Sequence, residues 1–255
     1  GGLFPALIEM QGFPTLFGMQ AYYPEVLERH FEIPDGFSHY FNGLNKSSYL
    51  ALLKRVILGE HRKEEVILLE IKPHQQKTRI DFYCTEKYFN IPIVCITEIF
   101  TEGTHLYYER EGNKIKIDRI YNRIILDELK HQTKEIQEKG ALLESNLDIE
   151  WVTHPHHFFR ISKFILPLLN HPLIPEAYLL ADWKNNQIDT ALNLAEYICK
   201  PLFSFGGQGV MLDPTIDSIH AINDPENWIL QKKVTYAAVI ETPSGPSKAE
   251  IRLFY

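Results

Sequence analysis

Lys200-Pro-Leu-Phe-Ser-Phe-Gly-Gly-Gln-Gly-Val210 sets a lysine ahead of three glycines, a combination that suits either phosphate binding or a plain turn. It is not a P-loop, which places its lysine after the glycines at a helix start and follows it with Ser or Thr. Nor is it the dinucleotide fingerprint, because VMLD, a strand pattern, follows instead of a helix. Two readings remain. In one, Gly206, Gly207, Gln208 and Gly209 form a flexible hairpin. In the other, their backbone N–H groups, unscreened by Cβ atoms, approach phosphate oxygens while Lys200 adds a point charge.

Three further stretches carry residues of the right type. In WILQKKV (228–234) alternate side chains point to opposite faces, and beside an apolar slot the backbone at Gln231, Lys232 and Val234 could offer an adenine edge a donor and an acceptor. The alternative is an ordinary sheet strand. In AEIRLFY, Glu250 and Arg252 share one strand face, as a surface pair or as a metal ligand beside a phosphate clamp. His154, His156 and His157 have a composition that binds zinc, but no Cys or carboxylate accompanies them at ligand spacing, which favours a loop role.

These residues need a scaffold. SSYLALLKRVIL (47–58) has apolar residues at helical spacing, a serine cap and Gly59 as a stop, and predicts one helix. EEVILLEI (64–71) and IPIVCIT (91–97) are short apolar runs on either side of KTRIDFYCTEKYFN (77–90), where Ile80, Cys84 and Tyr88 recur at helical spacing. Strand, helix, strand is the unit of a parallel sheet. LYYEREGNKIKI (106–117) alternates on both sides of EGN and predicts a hairpin, with RIYNRIIL (119–126) as the next strand. From Asp127 to about Asn146, a charged stretch with Leu129, Ile136 and Leu143 predicts one partly exposed helix. Beyond it come Pro-punctuated apolar helices (164–180). AEYICKPLF, GVMLD, NWILQKKVTYAAVIET and KAEIRLFY then predict strands, mostly antiparallel because their connections are short. The fold class is α/β in the broad sense, α+β by its second half.

With 255 residues, 45% of them apolar, the chain can bury one large domain or two modest ones. A net charge of −7 and the lack of a dense Lys/Arg run exclude a nucleic-acid partner but leave room for a small anionic ligand. Cys84, Cys95 and Cys199 are odd in number and far apart, which predicts free thiols and a cytoplasmic setting. No uninterrupted apolar stretch of about 18 residues and no basic-then-apolar leader is present, so neither a membrane span nor a signal peptide is expected. The start GGLFPALIEM, without methionine, and the strand-like end SKAEIRLFY give the expectation of a chain cut at both ends. Oligomeric state is open.

Taken in order, KPLFSFGGQGV, WILQKKV and AEIRLFY resemble the ATP-binding half of an ATP-grasp ligase: lysine strand, glycine flap, hinge strand, then a strand with an acidic and a basic residue. The Asp, Glu-x-Asn metal motif of that family is not downstream here. Instead ALIEMQGFPTLFGMQ (6–20) carries Glu9 and Gln11 with Glu-x-amide spacing at the front. That order resembles the circularly permuted ATP-grasp enzymes, the eukaryotic-type glutathione synthetase and glutathionylspermidine synthetase group. LLEIKPHQQKTRIDFYCTEKYFNIPIV, the EGN hairpin and DRIYNRII resemble their inserted domain, and HFFRISKFILPLL the segment bearing the earlier of two ATP-contacting lysines.

The resemblance implies an ATP-grasp-like antiparallel sheet region with an inserted Rossmann-like domain. Its parts would be a metal-motif segment (1–24), the substrate domain (25–126), a connecting helix (127–150) and an ATP-binding region (151–255) incomplete at its C-terminus. It implies a carboxylate–amine ligase acting through an acylphosphate, with ATP and Mg²⁺ as cofactors and small-molecule substrates. Lys163, Lys200, Gly206, Gly207, Gln208 and Gly209 would hold phosphates, and Gln231, Lys232 and Val234 the base. Glu9, Gln11 and Glu250 would hold the metal. Arg252 would stabilise the transferring group, and Arg123 would orient a substrate carboxylate. Three departures stand out: Gln11 in place of Asn, Gln231 where hinge strands often have a carboxylate, and Ser204 without the acidic character some flaps have. They leave two alternatives, a nucleotide-binding protein without ligase activity and a non-enzymatic α/β interaction domain.

Overall fold

A computed structural model describes residues 2–12, 15–185, 187, 191–204 and 206–254. The chain divides into two compact units, a central one, Phe13–Pro155, and a composite one made of Gly1–Gly12 with His156–Tyr255. These divisions at 12 and 155 stand beside the positions 24 and 150 read from the sequence. The fold is mixed α/β with several sheets, one parallel and one antiparallel in the central unit and one antiparallel in the composite unit.

The central unit contains α1 (Phe17–His30), α2 (Lys46–Leu58), β1 (Val66–Glu70), α3 (Arg79–Phe89), β2 (Ile93–Cys95), β3 (Phe100–Glu102), β4 (His105–Arg110), β5 (Asn113–Ile117), β6 (Arg119–Asn122), α4 (Leu126–Leu129), α5 (Lys134–Leu142) and β7 (Glu150–Val152). Four strands form a parallel sheet in the order β2-β1-β6-β7. All five residues of β1 are buried because its alternate side chains feed two different cores. Ile67 and Leu69 pack with Ile120, Leu106, Ile117 and Ile136, while Val66 and Leu68 pack with Leu53, Ile57, Phe82 and Phe89. The remaining three strands make an antiparallel sheet, β3-β4-β5.

Local chemistry sets the ends of these elements. The cap of α2 is Asn45, earlier than the expected serine: its side chain accepts from the Ser48 N–H, and Ser48 Oγ accepts from the Asn45 N–H. Gly59 stops the helix at φ 56°. In the EGN hairpin Glu111 and Gly112 take φ of 52° and 75°, the left-handed pair that a two-residue hairpin turn needs. β6 is shorter than predicted because the Asn122 side chain bonds both the N–H and the carbonyl of Ile124. The single helix expected from Asp127 is two, α4 and α5. The Gln137 amide donates to the carbonyls of Lys130 and Gln132 at the break, and Leu129, Ile136 and Leu143 are buried in one core. β7 was not foreseen.

The composite unit contains α6 (His157–Arg160), a 3-10 turn (Lys163–Leu168), β8 (Ala177–Leu179), α7 (Leu180–Lys184), β9 (Tyr197–Pro201), α8 (Ile216–His220) and β10 (Trp228–Lys232). Its antiparallel sheet runs β8-β10-β9. One sheet face, with Leu230, Cys199 and Tyr197, is packed by Leu180, Trp183 and Ile219. The other, with Ile229, meets Leu202, Leu166 and Met10. The helices expected over 164–180 are replaced by the 3-10 turn and β8, because Pro167, Pro172 and Pro175 deny successive helical bonds. GVMLD contributes only a bridge from Met211 to Cys199. Past Lys232, the predicted long strand and KAEIRLFY form, among the described residues, only the bridge Ile240–Ser247. Strand propensity makes no ladder where no neighbour is available: the register with β8 and β9 ends at Ala177 and Tyr197, with single backbone bonds beyond to Glu176 and Glu196. Phe205 and Tyr255 lie outside the described residues. Cys84, Cys95 and Cys199 are free thiols. Among the described residues no helix is long and apolar enough to cross a membrane.

Candidate functional site

The face of the composite sheet that carries Ile229 gathers charge. Gln231 shares that face with Ile229 by strand alternation, and Lys200 pairs directly across from Ile229. Lys200 Nζ donates to Gln231 Oε1 at 2.8 Å. Burial pulls the Lys200 pKa down; the Glu9 carboxylate pushes it up, Lys163 lowers it and Glu250 raises it. Lys163 is 5% exposed. Its ammonium donates to the carbonyls of Ser204 (2.9 Å) and Leu202 (3.3 Å) and lies 3.7 Å from Glu9 Oε1. Burial lowers its pKa too, with Glu9 opposing. Lys163 therefore braces the stretch that leads into the glycine loop.

Glu9 reaches this face because its segment runs close to α6. A Cβ on Gly12 would sit 2.4 Å from the His157 carbonyl oxygen and 2.5 Å from Ile161 Cβ, so only glycine allows the approach. The Leu7 N–H also donates to the Leu173 carbonyl at 2.8 Å, and Met10 packs against the apolar part of the face. Gln11 Nε2 donates to Glu9 Oε1 at 2.8 Å. Glu250 accepts from the Tyr236 hydroxyl at 2.5 Å.

The glycine loop is closed at its base by paired backbone bonds between Cys199 and Met211. Gly206, Gly207 and Gly209 all have positive φ, at 59°, 76° and 74°. No described residue lies within 4 Å of a Cβ on Gly206 or Gly207, whereas a Cβ on Gly209 would lie 2.8 Å from Pro201 Cγ. Gln208 is exposed.

The sequence-predicted residues are not all gathered here. The Lys232 ammonium lies 3.9 Å from Glu176 and 3.8 Å from Glu196, and its backbone N–H is taken by the Glu176 carbonyl. Val234 is half-buried beyond the end of β10, and Arg252 is exposed, with no contact joining it to the cluster among the described residues. Tyr236, which does join it, carried no motif that would have singled it out.

A second cluster lies in the central unit. From β1 the chain crosses first to β2 on one side and later to β6 on the other, so the connections diverge between β1 and β6. Outside the carboxyl ends of such a strand pair is where open α/β sheets bind ligands. Arg123, 7% exposed, follows β6 there. Its Nη1 donates to the Thr15 carbonyl at 2.8 Å, its Nη2 is 3.7 Å from Asp81 Oδ2, and its guanidinium lies 5.2 Å from the Phe82 ring centre. Asp81 is fully buried and accepts from the Met19 N–H at 2.9 Å; burial raises its pKa and Arg123 opposes. Arg123 Nε, Asp81 Oδ2 and Tyr121 Oη have no hydrogen-bond partner among the described residues. Glu70, 5% exposed, ends β1, and burial pushes its carboxyl up to about 8 against the Ile71 N–H bond and the Arg123 charge. Of this group only Arg123 was singled out from the sequence. The signals for the others were slight: a lone charge closing the apolar VILLE, and an aspartate on the inner face of α3 four residues before buried Thr85.

Among the described residues, ligand atoms of His61, Glu65 and Asp118 lie within 4.8 Å of one another. Each is already engaged, Glu65 by Arg62, Asp118 by Lys116 at 2.7 Å, and His61 by Glu150 at 3.2 Å. At the amino ends of β1, β6 and β7 they form an ion-pair network. His154, from the histidine cluster, packs edge-on against Trp151 at 5.5 Å between ring centres.

No protein-family model matches the chain, and no curated protein matches it. Among solved structures, a glutathione synthetase like-effector from Globodera pallida, in its apoform, matches with a TM-score of 0.50 and 11% identity. The match covers 88% of this chain and 54% of that one. At this identity the likeness is one of fold, a mixed α/β architecture shared with that neighbour, and the chain spans about half its length.

Proposed function

We propose that the chain binds ATP and orients substrate for an ATP-dependent carboxylate–amine ligase of the ATP-grasp type. The observation that carries this reading is the gathering of Glu9, Lys163, Lys200, Gln231 and Glu250, from remote parts of the sequence, at one sheet face beside a glycine loop. The fold likeness to a glutathione synthetase like-effector supports it.

In this reading Lys200, Lys163 and the backbone N–H groups of Gly206, Gly207, Gln208 and Gly209 offset the triphosphate charge. The Lys163 bonds to Leu202 and Ser204 hold the segment that leads toward the glycines. Glu9, Gln11 and Glu250 offer only oxygen donors, the hard set that suits Mg²⁺, and would hold it; the ion when bound supplies further positive charge. The substrate carboxylate attacks the γ-phosphorus and ADP leaves. The amine then attacks the acylphosphate carbonyl, expels phosphate and gives up a proton. Arg252 would stabilise charge on the transferring phosphoryl group, and Arg123 would pair with a substrate carboxylate at the switch point. Loop closure over the nucleotide keeps water from the acylphosphate. The free thiols and the net charge fit a cytoplasmic enzyme of small molecules.

Lys200→Ala removes one charge-assisted contact and should weaken Mg·ATP binding by about 10- to 100-fold. Unchanged affinity by calorimetry would overturn the site. The bond from Gln11 to Glu9 ties up a metal-motif side chain and favours a second reading, a nucleotide binder without ligase activity. Mg·ATP binding with no ADP release across amino acids, peptides and polyamines would select it.

A further inference from the structure

Lys163 and Lys200 lie in one cluster but are held differently, and the difference assigns a role to Gln231. Lys163 has a carboxylate at 3.7 Å and two carbonyl acceptors. Lys200 is held by a neutral amide at 2.8 Å, and among the described residues no carboxylate forms an ion pair with it. Glu9 and Glu250 act on it only through space. An ammonium has donors alone, so it fixes the Gln231 amide with Oε1 toward Lys200. Gln231 is 1% exposed and sits between Ala177 and Ile198 of the neighbouring strands, which holds the amide in place.

We propose that Gln231 is a positioning residue that fixes the Lys200 ammonium without cancelling its charge, and so sets a preference for polyphosphate ligands over uncharged nucleosides. This rests on the nucleotide reading of the same site. A carboxylate of equal size at 231 would make the same bond, but as an ion pair in a desolvated place, where opposite charges interact strongly. The isosteric change should therefore harm anion binding more than loss of the amide does.

The test is calorimetry of adenosine, AMP, ADP and ATP, with Mg²⁺ present, on the wild-type chain, Gln231→Glu and Gln231→Met. Gln231→Glu should weaken ATP about 10-fold or more, with a penalty that grows with phosphate number from adenosine to ATP. Gln231→Met, which keeps neutrality but loses the positioning bond together with the buried Nε2 that has no partner among the described residues, should weaken ATP about threefold and adenosine less. Equal loss of adenosine and ATP would mark a merely structural role and overturn the proposal, as would a Met variant weaker than the Glu variant. If Gln231→Glu fails to fold, the Met variant decides alone: no loss of ATP overturns the proposal. A wild-type chain that binds none of the four would overturn the nucleotide reading itself, and this inference with it. That outcome is distinct from a wild type that binds ATP and a Glu variant that binds it equally well, which overturns the inference only.

Discussion

The two charge clusters are built to opposite plans. In the composite unit two ammonium groups gather at a sheet face, bonded to carbonyls and a neutral amide, beside a loop in which Gly206 and Gly207 have no described residue within reach of a Cβ. In the central unit one guanidinium is buried against a buried aspartate; among the described residues both clusters hold buried polar atoms without partners, Arg123 Nε and Asp81 Oδ2 here and Gln231 Nε2 in the composite unit. The first plan leaves positive charge available to a ligand with several negative charges. The second uses its charge largely inside the fold: Arg123 fastens Thr15 and Asp81 fastens Met19, so the pair anchors the start of α1. What it offers a ligand is a single desolvated cation, suited to one carboxylate.

The sharpest way to break this contrast is to remove one cation from each cluster and compare stability. Arg123→Met leaves Asp81 buried without its counter-charge and should cost about 3–5 kcal/mol by chemical denaturation. The cost should shrink at low pH, where Asp81 takes up a proton. Lys200→Met removes a desolvated ammonium bonded to a neutral group and should change stability by about 1 kcal/mol or less. Equal costs would mean that the two clusters do the same structural work.

What was legible beforehand follows the same divide. The hairpin at EGN, the strand-helix-strand of the parallel sheet and the helix ended by Gly59 were readable because periodicity and positive-φ residues are local signals. Length beyond Lys232 was misread because β-branched residues predict strands without saying whether a neighbour exists. In the composite unit, Lys200, Gln231 and Glu9 stood in quotable motifs, since placed charges and glycines leave a pattern. Asp81 and Glu70 did not, because one buried carboxylate in an apolar stretch looks like any surface residue until the tertiary fold covers it.

Glu70 gives the next largest effect and probes the central cluster through pH. Its folded carboxyl titrates at about 8, against about 4.3 when unfolded. Between those values the folded chain keeps a proton that the unfolded chain has lost. Stability from this group is therefore complete below the unfolded pKa and falls as pH rises toward 8, by about 1.4 kcal/mol per pH unit at most. Glu70→Gln should flatten that slope in denaturation series from pH 5 to 9. A variant as steep as wild type would place the titration elsewhere.

The smallest effects separate holding from binding within the glycine loop. Alanine at Gly209 meets both a left-handed φ of 74° and the Pro201 ring at 2.8 Å, so it should cost about 2 kcal/mol of stability. Alanine at Gly206 meets the backbone penalty, about 1 kcal/mol, because none of the described residues lies within 4 Å of its Cβ. That is where a phosphate would approach the backbone, so Gly206→Ala should lose more Mg·ATP affinity than its small stability cost suggests, about 3- to 10-fold by calorimetry. If both alanines cost stability alone and leave the nucleotide untouched, the loop is a hairpin that closes β9 and the charge beside it has no mobile counterpart. If the two effects divide between the two glycines, the composite cluster has what the central one lacks, a backbone free to close on a charged ligand.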